Sequence, residues 1–371
     1  MTLPIDRVPG PPGDSGRVHG RILGALGFFD PAFLDAYFNR FVTTNKVTRD
    51  DLSAQADRWL AGLPANFQEE IDGMASGADA SMSTTARFLY ADIASPTTGE
   101  TPAFDVISDD EKNTVAGPLC SAMIASPSNH PWVARNCDWL FATLMRGTSA
   151  VVHETPGRIP VMAVGIRGDI DVDTGINAER LWIHLHTLLD LGDPPRDRTI
   201  ISWLFWAREA LETCASLDDL ERFIETTGRD RGVIAVACDG KTHEAAVFEC
   251  TKASHVRHDF DPSLPPLVAT NHPQAKPIDA AREAKARPGS TVGRFCALRT
   301  IAKDHPPEHG PDDFIDVLAD EGVEMRTPEH LRTIYSSVVN PSTGEVWFAS
   351  GSAKGRPAAS TGRWGKVGFR F

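Results

Sequence analysis

Cys120 stands where an acidic stretch gives way to the first apolar strand, in the text Gly117-Pro118-Leu119-Cys120-Ser121. A thiol attacks carbon as its thiolate, and a free cysteine keeps its proton up to a pH of about 8.5. A working cysteine therefore needs a cation and a base close by. One hairpin later, Arg135-Asn136-Cys137-Asp138-Trp139 offers a cation and a carboxylate. Each signal alone is unspecific: most cysteines in such a chain act as small buried hydrophobes, and Arg-x-x-Asp is common among surface ion pairs. A competing chemistry is His184-x-His186 with Asp190 nearby, two metal ligands on one strand face. No third ligand follows at a typical spacing, and Trp182-Ile183-His184-Leu185-His186 reads more simply as a half-buried alternating strand. Lys285, Gly289 and Gly293 do not make a phosphate loop.

The elements that must position these residues change character at Cys120. Before it, the chain reads as helical. Asp30-Pro31 opens a helix carrying Phe33, Leu34, Tyr37, Phe38 and Phe41. Thr48, with Asp51 three residues on, caps a second, and Ile71 to Phe88 reads as a third, weakened by Gly73 and Gly77. The stretch from Pro96 to Gly117, with Asp109-Asp110-Glu111, reads as an exposed loop. After Cys120 come hairpin signals: Ser121–Ala125 with Trp132–Arg135, Val233–Cys238 with Glu244–Cys250 around Asp239-Gly240, and Tyr335–Val339 with Glu345–Ala349. Ile200–Cys214 is amphipathic, Ser216 caps Leu217–Thr226, and Asp261–Ser290 is Pro-rich and expected to be irregular. Hairpins interleaved with helices imply an α+β layered domain.

Composition narrows the partners. A net charge of −13 disfavours nucleic acid and anionic membrane. The six cysteines form no Cys-x-x-Cys pair, so a structural zinc site is not expected. No apolar run approaches the roughly 20 residues that span a bilayer, and Met1–Gly20 has no apolar core of a secretory signal. The expected compartment is cytoplasmic.

The combination is more specific than its parts. A cysteine at a strand start followed by Arg-Asn-x-Asp resembles the penicillin acyltransferase-like and choloylglycine hydrolase-like families of N-terminal-nucleophile (Ntn) hydrolases. Further segments match in order: Thr174-Gly175-Ile176-Asn177-Ala178-Glu179, Ala269-Thr270-Asn271-His272-Pro273, Gly293-Arg294-Phe295, and the closing hairpin from Val339-Asn340-Pro341 to Trp347. The residues before Cys120 resemble the propeptide of the penicillin acyltransferase-like branch. That branch usually has Gly before the cysteine and often Thr after it, where this chain has Leu119 and Ser121. The resemblance implies an αββα sandwich of two antiparallel sheets, with residues 1–119 as a helical pro-segment and residues 120–371 as the catalytic domain. It implies autocleavage between Leu119 and Cys120, with the two fragments remaining associated. It also implies hydrolysis or transfer of the acyl group of a small linear amide, with an amine as a possible acceptor and no cofactor or metal.

The chemistry suits that pattern. An N-terminal cysteine carries its own base, an α-amine with a pKa of about 7.7–8.0. The amine can take the thiol proton and return it to the leaving amine, so no catalytic histidine is required. In this reading Arg135 favours the thiolate and Asp138 holds the α-amine. Asn177 and Asn271 donate to the developing oxyanion, and Arg294 fixes the carboxylate or the substrate. Positions i and i+3 of a strand face opposite ways, so Arg135 and Asp138 share a site only if the strand ends or bulges. Two other readings remain: a silent, uncleaved Ntn-fold binding protein, and a metal hydrolase built on His184 and His186.

Overall fold

Apolar residues on both faces of most strands require cover on both sides, and the architecture supplies it. The computed structural model of the protein describes residues 5–91, 93–94, 119–127, 130–139, 148–168, 170–188, 195, 197–275, 289–326, 332–351 and 356–368. One sheet runs from β1 (Ile5–Pro9) through β4 (Thr148–Glu154), β5 (Val161–Ile166), β6 (Thr174–Asn177), β7 (Leu181–Leu188), β10 (Gly232–Asp239) and β11 (Glu244–Cys250) to β12 (His255–Asp259). The other runs from β13 (Leu267–Ala269) through β2 (Leu119–Ala125), β3 (Trp132–Trp139), β14 (Arg332–Asn340) and β15 (Glu345–Ser350) to β16 (Gly365–Gly368). β8 (Thr199–Ile201) and β9 (Thr227–Arg229) pair separately.

The sheets pack face to face where β2 meets β7. Helices α6 (Trp203–Thr213) and α7 (Leu217–Thr226) cover the outer face of the first sheet, and α8 (Thr291–Asp304) and α9 (Pro311–Leu318) that of the second. This is the expected αββα sandwich. All three expected hairpins are present, and Asp239 and Glu244 close the β10–β11 pair. The strand read as half-buried is instead buried from Leu181 to His186, because its second face meets the other sheet. The Pro-rich stretch after Asp261 contains β13, which pairs with β2. The acidic stretch 96–117 and Asp190 lie outside the described residues.

The first 94 residues are more than helical. β1 adds to the first sheet, parallel to β4, so one edge pair departs from antiparallel order. Five helices follow: α1 (Pro12–Ala25), α2 (Pro31–Asn45), α3 (Arg49–Gly62), α4 (Ala65–Ala78) and α5 (Met82–Tyr90). The capping box at Thr48 forms as the spacing predicts, with Asp51 N–H donating to Thr48 Oγ1 at 3.0 Å and Thr48 N–H to Asp51 Oδ2 at 3.1 Å. The helix predicted over Ile71–Phe88 is two. Asp79 leaves α4 in the left-handed conformation (φ 54°), and Ser81 Oγ accepts from Thr84 N–H at 3.1 Å to begin α5. Gly73 and Gly77 do not weaken α4 without return. They let its backbone touch that of α1, where a Cβ on Gly16 would lie 1.9 Å from Glu70 O.

This segment docks through apolar and charged contacts. Phe67 stacks on Phe205 with centroids 4.1 Å apart, and Trp59 Nε1 donates to Ser202 Oγ at 3.0 Å. Buried Arg208 grips Glu70 at 2.7 and 2.8 Å and Glu212 at 3.1 Å. Removing one partner of such a pair strands a buried charge, at a typical cost of about 3–5 kcal/mol. Among the described residues no helix is long and apolar enough to cross a membrane.

Candidate active site

The site begins where a β-ladder stops. β13 pairs with β2 only as far as Ala269 opposite Ala122. Beyond that point the chain turns, and the Asn271 side chain replaces a strand partner: Cys120 N–H donates to Asn271 Oδ1 at 2.7 Å. The other backbone group of Cys120, its carbonyl, accepts from Arg294 Nη1. Arg294 sits in the first turn of α8, which Ser290 caps by accepting from Gly293 N–H at 3.0 Å. That turn aims the guanidinium at the sheet edge, where Nη1 also donates to Ser121 Oγ at 2.8 Å and Nη2 to Asn271 Oδ1 at 3.1 Å. Asn271 Nδ2 faces Thr187, donating to its carbonyl at 3.0 Å and its hydroxyl at 3.2 Å.

The Cys120 side chain points between the sheets, toward Arg135. Arg135 Nη2 lies 3.4 Å from Sγ and donates to Leu185 O at 3.0 Å. Its Nη1 donates to Asp173 O at 2.6 Å and to Thr174 Oγ1, and the guanidinium lies 5.4 Å from the centroid of the Tyr335 ring. Burial opposes ionisation of Cys120. The hydrogen bond from Cys137 and the Arg135 charge outweigh it and hold the thiol below its usual range. Cys137 shows the reverse: burial and the same hydrogen bond push it well above. A thiol held low beside a fixed guanidinium is in surroundings that favour the thiolate.

Asp138 lies on the opposite face of β3 from Arg135, as strand alternation requires. Neither of the geometries expected to unite them occurs on β3, which runs straight through to Trp139. The bulge is on its neighbour β14, between Thr333 and Tyr335. The two residues instead flank Cys120 from either side of the sheet. Thr333 Oγ1 donates to Asp138 Oδ1 at 2.6 Å, and Arg294 Nη1 is 3.6 Å from Asp138 Oδ2. Burial dominates over these two and raises the carboxyl to about 6. Burial lowers Arg294, with Asp138 and Cys120 opposing that. A guanidinium remains charged throughout the physiological range.

Asn177 does not join the constellation. Its Nδ2 donates to Leu211 O at 2.8 Å and Cys214 O at 2.7 Å, and its Oδ1 accepts from Leu181 N–H at 2.9 Å. These bonds tie the β6–β7 turn to the end of α6. The residue of β6 that reaches the site is Thr174, three positions earlier. Sequence reasoning also passed over Cys137, Thr333, Asp173 and Tyr335. Only Cys137 carried a local signal, its place inside the Arg-Asn-x-Asp segment.

His184 and His186 stack at 5.2 Å. Trp182 Nε1 donates to His184 Nδ1 at 3.1 Å, and His186 Nδ1 lies 2.9 Å from Thr270 O. Burial, then the Arg135 charge, hold both below their usual value, His186 at about 3. A base that weak does not retain a thiol proton at neutral pH.

A cavity of about 90 Å³ opens beside Cys137. Leu23, Phe28, Tyr37 and Phe88 of the N-terminal segment line it together with Trp139 and Tyr335 of the sandwich. Its wall is thus shared across the Leu119–Cys120 bond.

The family described as Acyl-coenzyme A:6-aminopenicillanic acid acyl-transferase matches residues 125–355, more than half of the chain. The match contains Arg135, Asp138, Asn177, Asn271 and Arg294 and begins downstream of Cys120. No curated protein matches significantly. Similar solved structures include penicillin V acylase from Agrobacterium tumefaciens, at 14% identity over 62% of this chain and 82% of that one, TM-score 0.43. A variant of conjugated bile acid hydrolase from Clostridium perfringens is similar at 11% identity over 68% and 97%, TM-score 0.46. The N-acylethanolamine-hydrolyzing acid amidase ortholog of Caenorhabditis elegans is similar at 15% identity over 60% and 93%, TM-score 0.44.

Proposed function

The chain belongs to the acyl-coenzyme A:6-aminopenicillanic acid acyl-transferase family, and we propose that it is a cysteine Ntn amide hydrolase or acyltransferase that matures by cutting itself between Leu119 and Cys120. The observation that carries the proposal is the grip on Cys120. Its thiol lies against Arg135, its nitrogen against Asn271 Oδ1 and its carbonyl against Arg294. In the uncut chain the Cys120 nitrogen is an amide and cannot serve as a base. Cys120 Sγ attacks the Leu119 carbonyl, the peptide C–N bond breaks, and the nitrogen takes up the proton. Water then hydrolyses the resulting thioester, leaving residues 1–119 with a new carboxylate and Cys120 with a free amine.

The free amine then serves catalysis. With one N–H held by Asn271 Oδ1, its lone pair is turned to the thiol and takes the proton. The Arg135-stabilised thiolate attacks the carbonyl of a linear amide. The ammonium returns the proton to the leaving amine, and an acyl-Cys120 thioester remains. Water gives hydrolysis and a second amine gives acyl transfer. Nucleophile and base sit on one residue, so the steps need no metal or cofactor. Asp138, opposite Leu119 in the ladder, is placed to hold the new ammonium. The apolar cavity takes the acyl group, which makes the N-terminal segment part of the substrate site and gives the fragments a reason to stay together.

The test is intact mass under denaturing conditions, followed by turnover of N-acyl amides and β-lactam-type amides with and without added amine. Wild type should give two polypeptides with Cys120 as a new N-terminus, and Cys120→Ala one full-length, inactive chain. A wild type that stays uncut yet turns over fully would overturn the free-amine mechanism. His272 would then be the base to examine, although its Nδ1 already faces Thr270 Oγ1 at 3.1 Å and Thr291 Oγ1 at 2.9 Å.

A further inference from the structure

Cys120 and Cys137 face each other directly across β2 and β3. Both backbone hydrogen-bonding groups of Cys120 turn away from β3, the N–H toward Asn271 and the carbonyl toward Arg294. In an antiparallel ladder such a residue forms a non-hydrogen-bonded pair with its neighbour, the type whose Cα atoms approach to about 4.5 Å. Disulfides span Cα separations of about 4.4–6.8 Å, so the backbone already holds a geometry that an S–S bond accepts. The side chains share the inter-sheet face, and each thiol shifts the other's ionisation. The cavity reaches Cys137, the partner of Cys120 in the ladder. Of the other described cysteines, Cys238 and Cys250 sit opposite Ala245 and Val233 in the β10–β11 ladder rather than opposite another cysteine. Neither the proposed maturation nor the proposed acyl transfer uses a thiol at position 137.

We propose that Cys120 and Cys137 are a peroxide-responsive pair, in which Cys137 captures oxidised Cys120 as a disulfide that reversibly silences the site. The silencing rests on the reading of Cys120 as nucleophile; the pairing rests on geometry alone. The Cys120 thiolate attacks one oxygen of a hydroperoxide. An S–O bond forms, the O–O bond breaks, and hydroxide leaves. Cys137 sulfur then attacks the sulfenic sulfur, the S–S bond forms, and the second oxygen departs as water with the Cys137 proton. Two thiols are oxidised by two electrons and one peroxide is reduced. Arg135, 3.4 Å from Sγ, keeps the thiolate that the first step needs. A partner thiol held opposite in the ladder protects Cys120 from the irreversible sulfinic and sulfonic states. In the uncut chain the same bond removes the thiol that must attack Leu119, so oxidation also arrests maturation.

The experiment treats the purified wild-type protein with excess hydrogen peroxide and then with dithiothreitol. The expected result is loss of amide turnover, a mass lower by two hydrogens, and one peptide in the digest joining residues 120 and 137, with all three reversed by the thiol. Cys137→Ser under the same treatment should gain two or three oxygens on Cys120 and not recover. Wild type that gains those oxygens with no joined peptide overturns the proposal, as does a Cys137→Ser protein that recovers like wild type. If Cys137→Ser does not fold, Cys137→Ala and the wild-type peptide map decide the same point. The joined peptide is read without activity. A protein that forms it reversibly but never turns over an amide supports the pairing and overturns the proposed function.

Discussion

Replacing Asn271 by Ala separates two roles that a single asparagine can play. As drawn by the sequence, Asn271 donates to an oxyanion, a role whose loss costs about 3–4 kcal/mol in other enzymes. In the folded chain its Oδ1 accepts from Cys120 N–H at 2.7 Å and from Arg294 Nη2 at 3.1 Å, while Nδ2 is held by Thr187. Ala leaves the buried Cys120 nitrogen without an acceptor and frees one arm of the guanidinium. An unsatisfied buried donor costs about 1–3 kcal/mol, which at about 1.4 kcal/mol per tenfold slows a step that depends on it by about 5- to 150-fold. We expect cleavage at Leu119–Cys120 and amide turnover to fall together, turnover by about 100-fold. Cleavage is followed by intact mass against time and turnover by amine release. Asn271→Asp discriminates the roles, because it keeps an acceptor at Oδ1 and adds favourable charge beside Arg294 but loses the donor. If Asn271 positions the Cys120 nitrogen, Asp retains most of the cleavage rate; if it is an oxyanion donor, Asp fails as badly as Ala. An Asn271→Ala protein that cleaves and turns over at the wild-type rate refutes both.

Further outcomes follow from particular contacts. Asp138 is raised to about 6, chiefly by burial, so its charge is present above that pH and lost below it, and turnover should fall as pH drops through about 6. Thr333→Val removes a hydrogen bond that favours the charged form and should move that acid limb upward by about one pH unit; an unmoved pH–rate profile disconnects Asp138 from the rate. Glu70→Ala leaves buried Arg208 with Glu212 as its one remaining carboxylate partner among the described contacts and should lower stability by about 3 kcal/mol, read as a lower urea midpoint and earlier release of the N-terminal fragment; wild-type values for both would show that Glu212 alone satisfies Arg208. Gly16→Val places a methyl-bearing carbon 1.9 Å from Glu70 O, so α1 and α4 must part, and thermal unfolding should show a loss of about 3 kcal/mol or more. An unchanged Tm would mean that the two helices do not depend on backbone contact.

What could be read from the chain alone was whatever its near neighbours determine. Thr48 with Asp51 and Ser216 with Asp219 are helix starts decided within three residues, and both side chains accept the expected N–H. Asp239-Gly240 between two apolar runs is a hairpin decided within a turn. The αββα layering was implied by the family resemblance, and the pairing of the Cys120 strand with the Arg135 strand was legible because that hairpin too is local. Contacts between distant segments decided the rest. β1 is a strand only because β4, far along the chain, pairs with it, and Gly-rich α1 is a helix only because α4 offers bare backbone to pack against. Asn177 fits a motif by spacing, yet α6 takes its amide. Thr333 reaches Asp138 because the β3–β14 register places it opposite, and Cys137 meets Cys120 because the β2–β3 register does the same. Spacing names the groups that could do chemistry. Register and burial, which exist only in the folded state, decide which of them touch and which hold their protons.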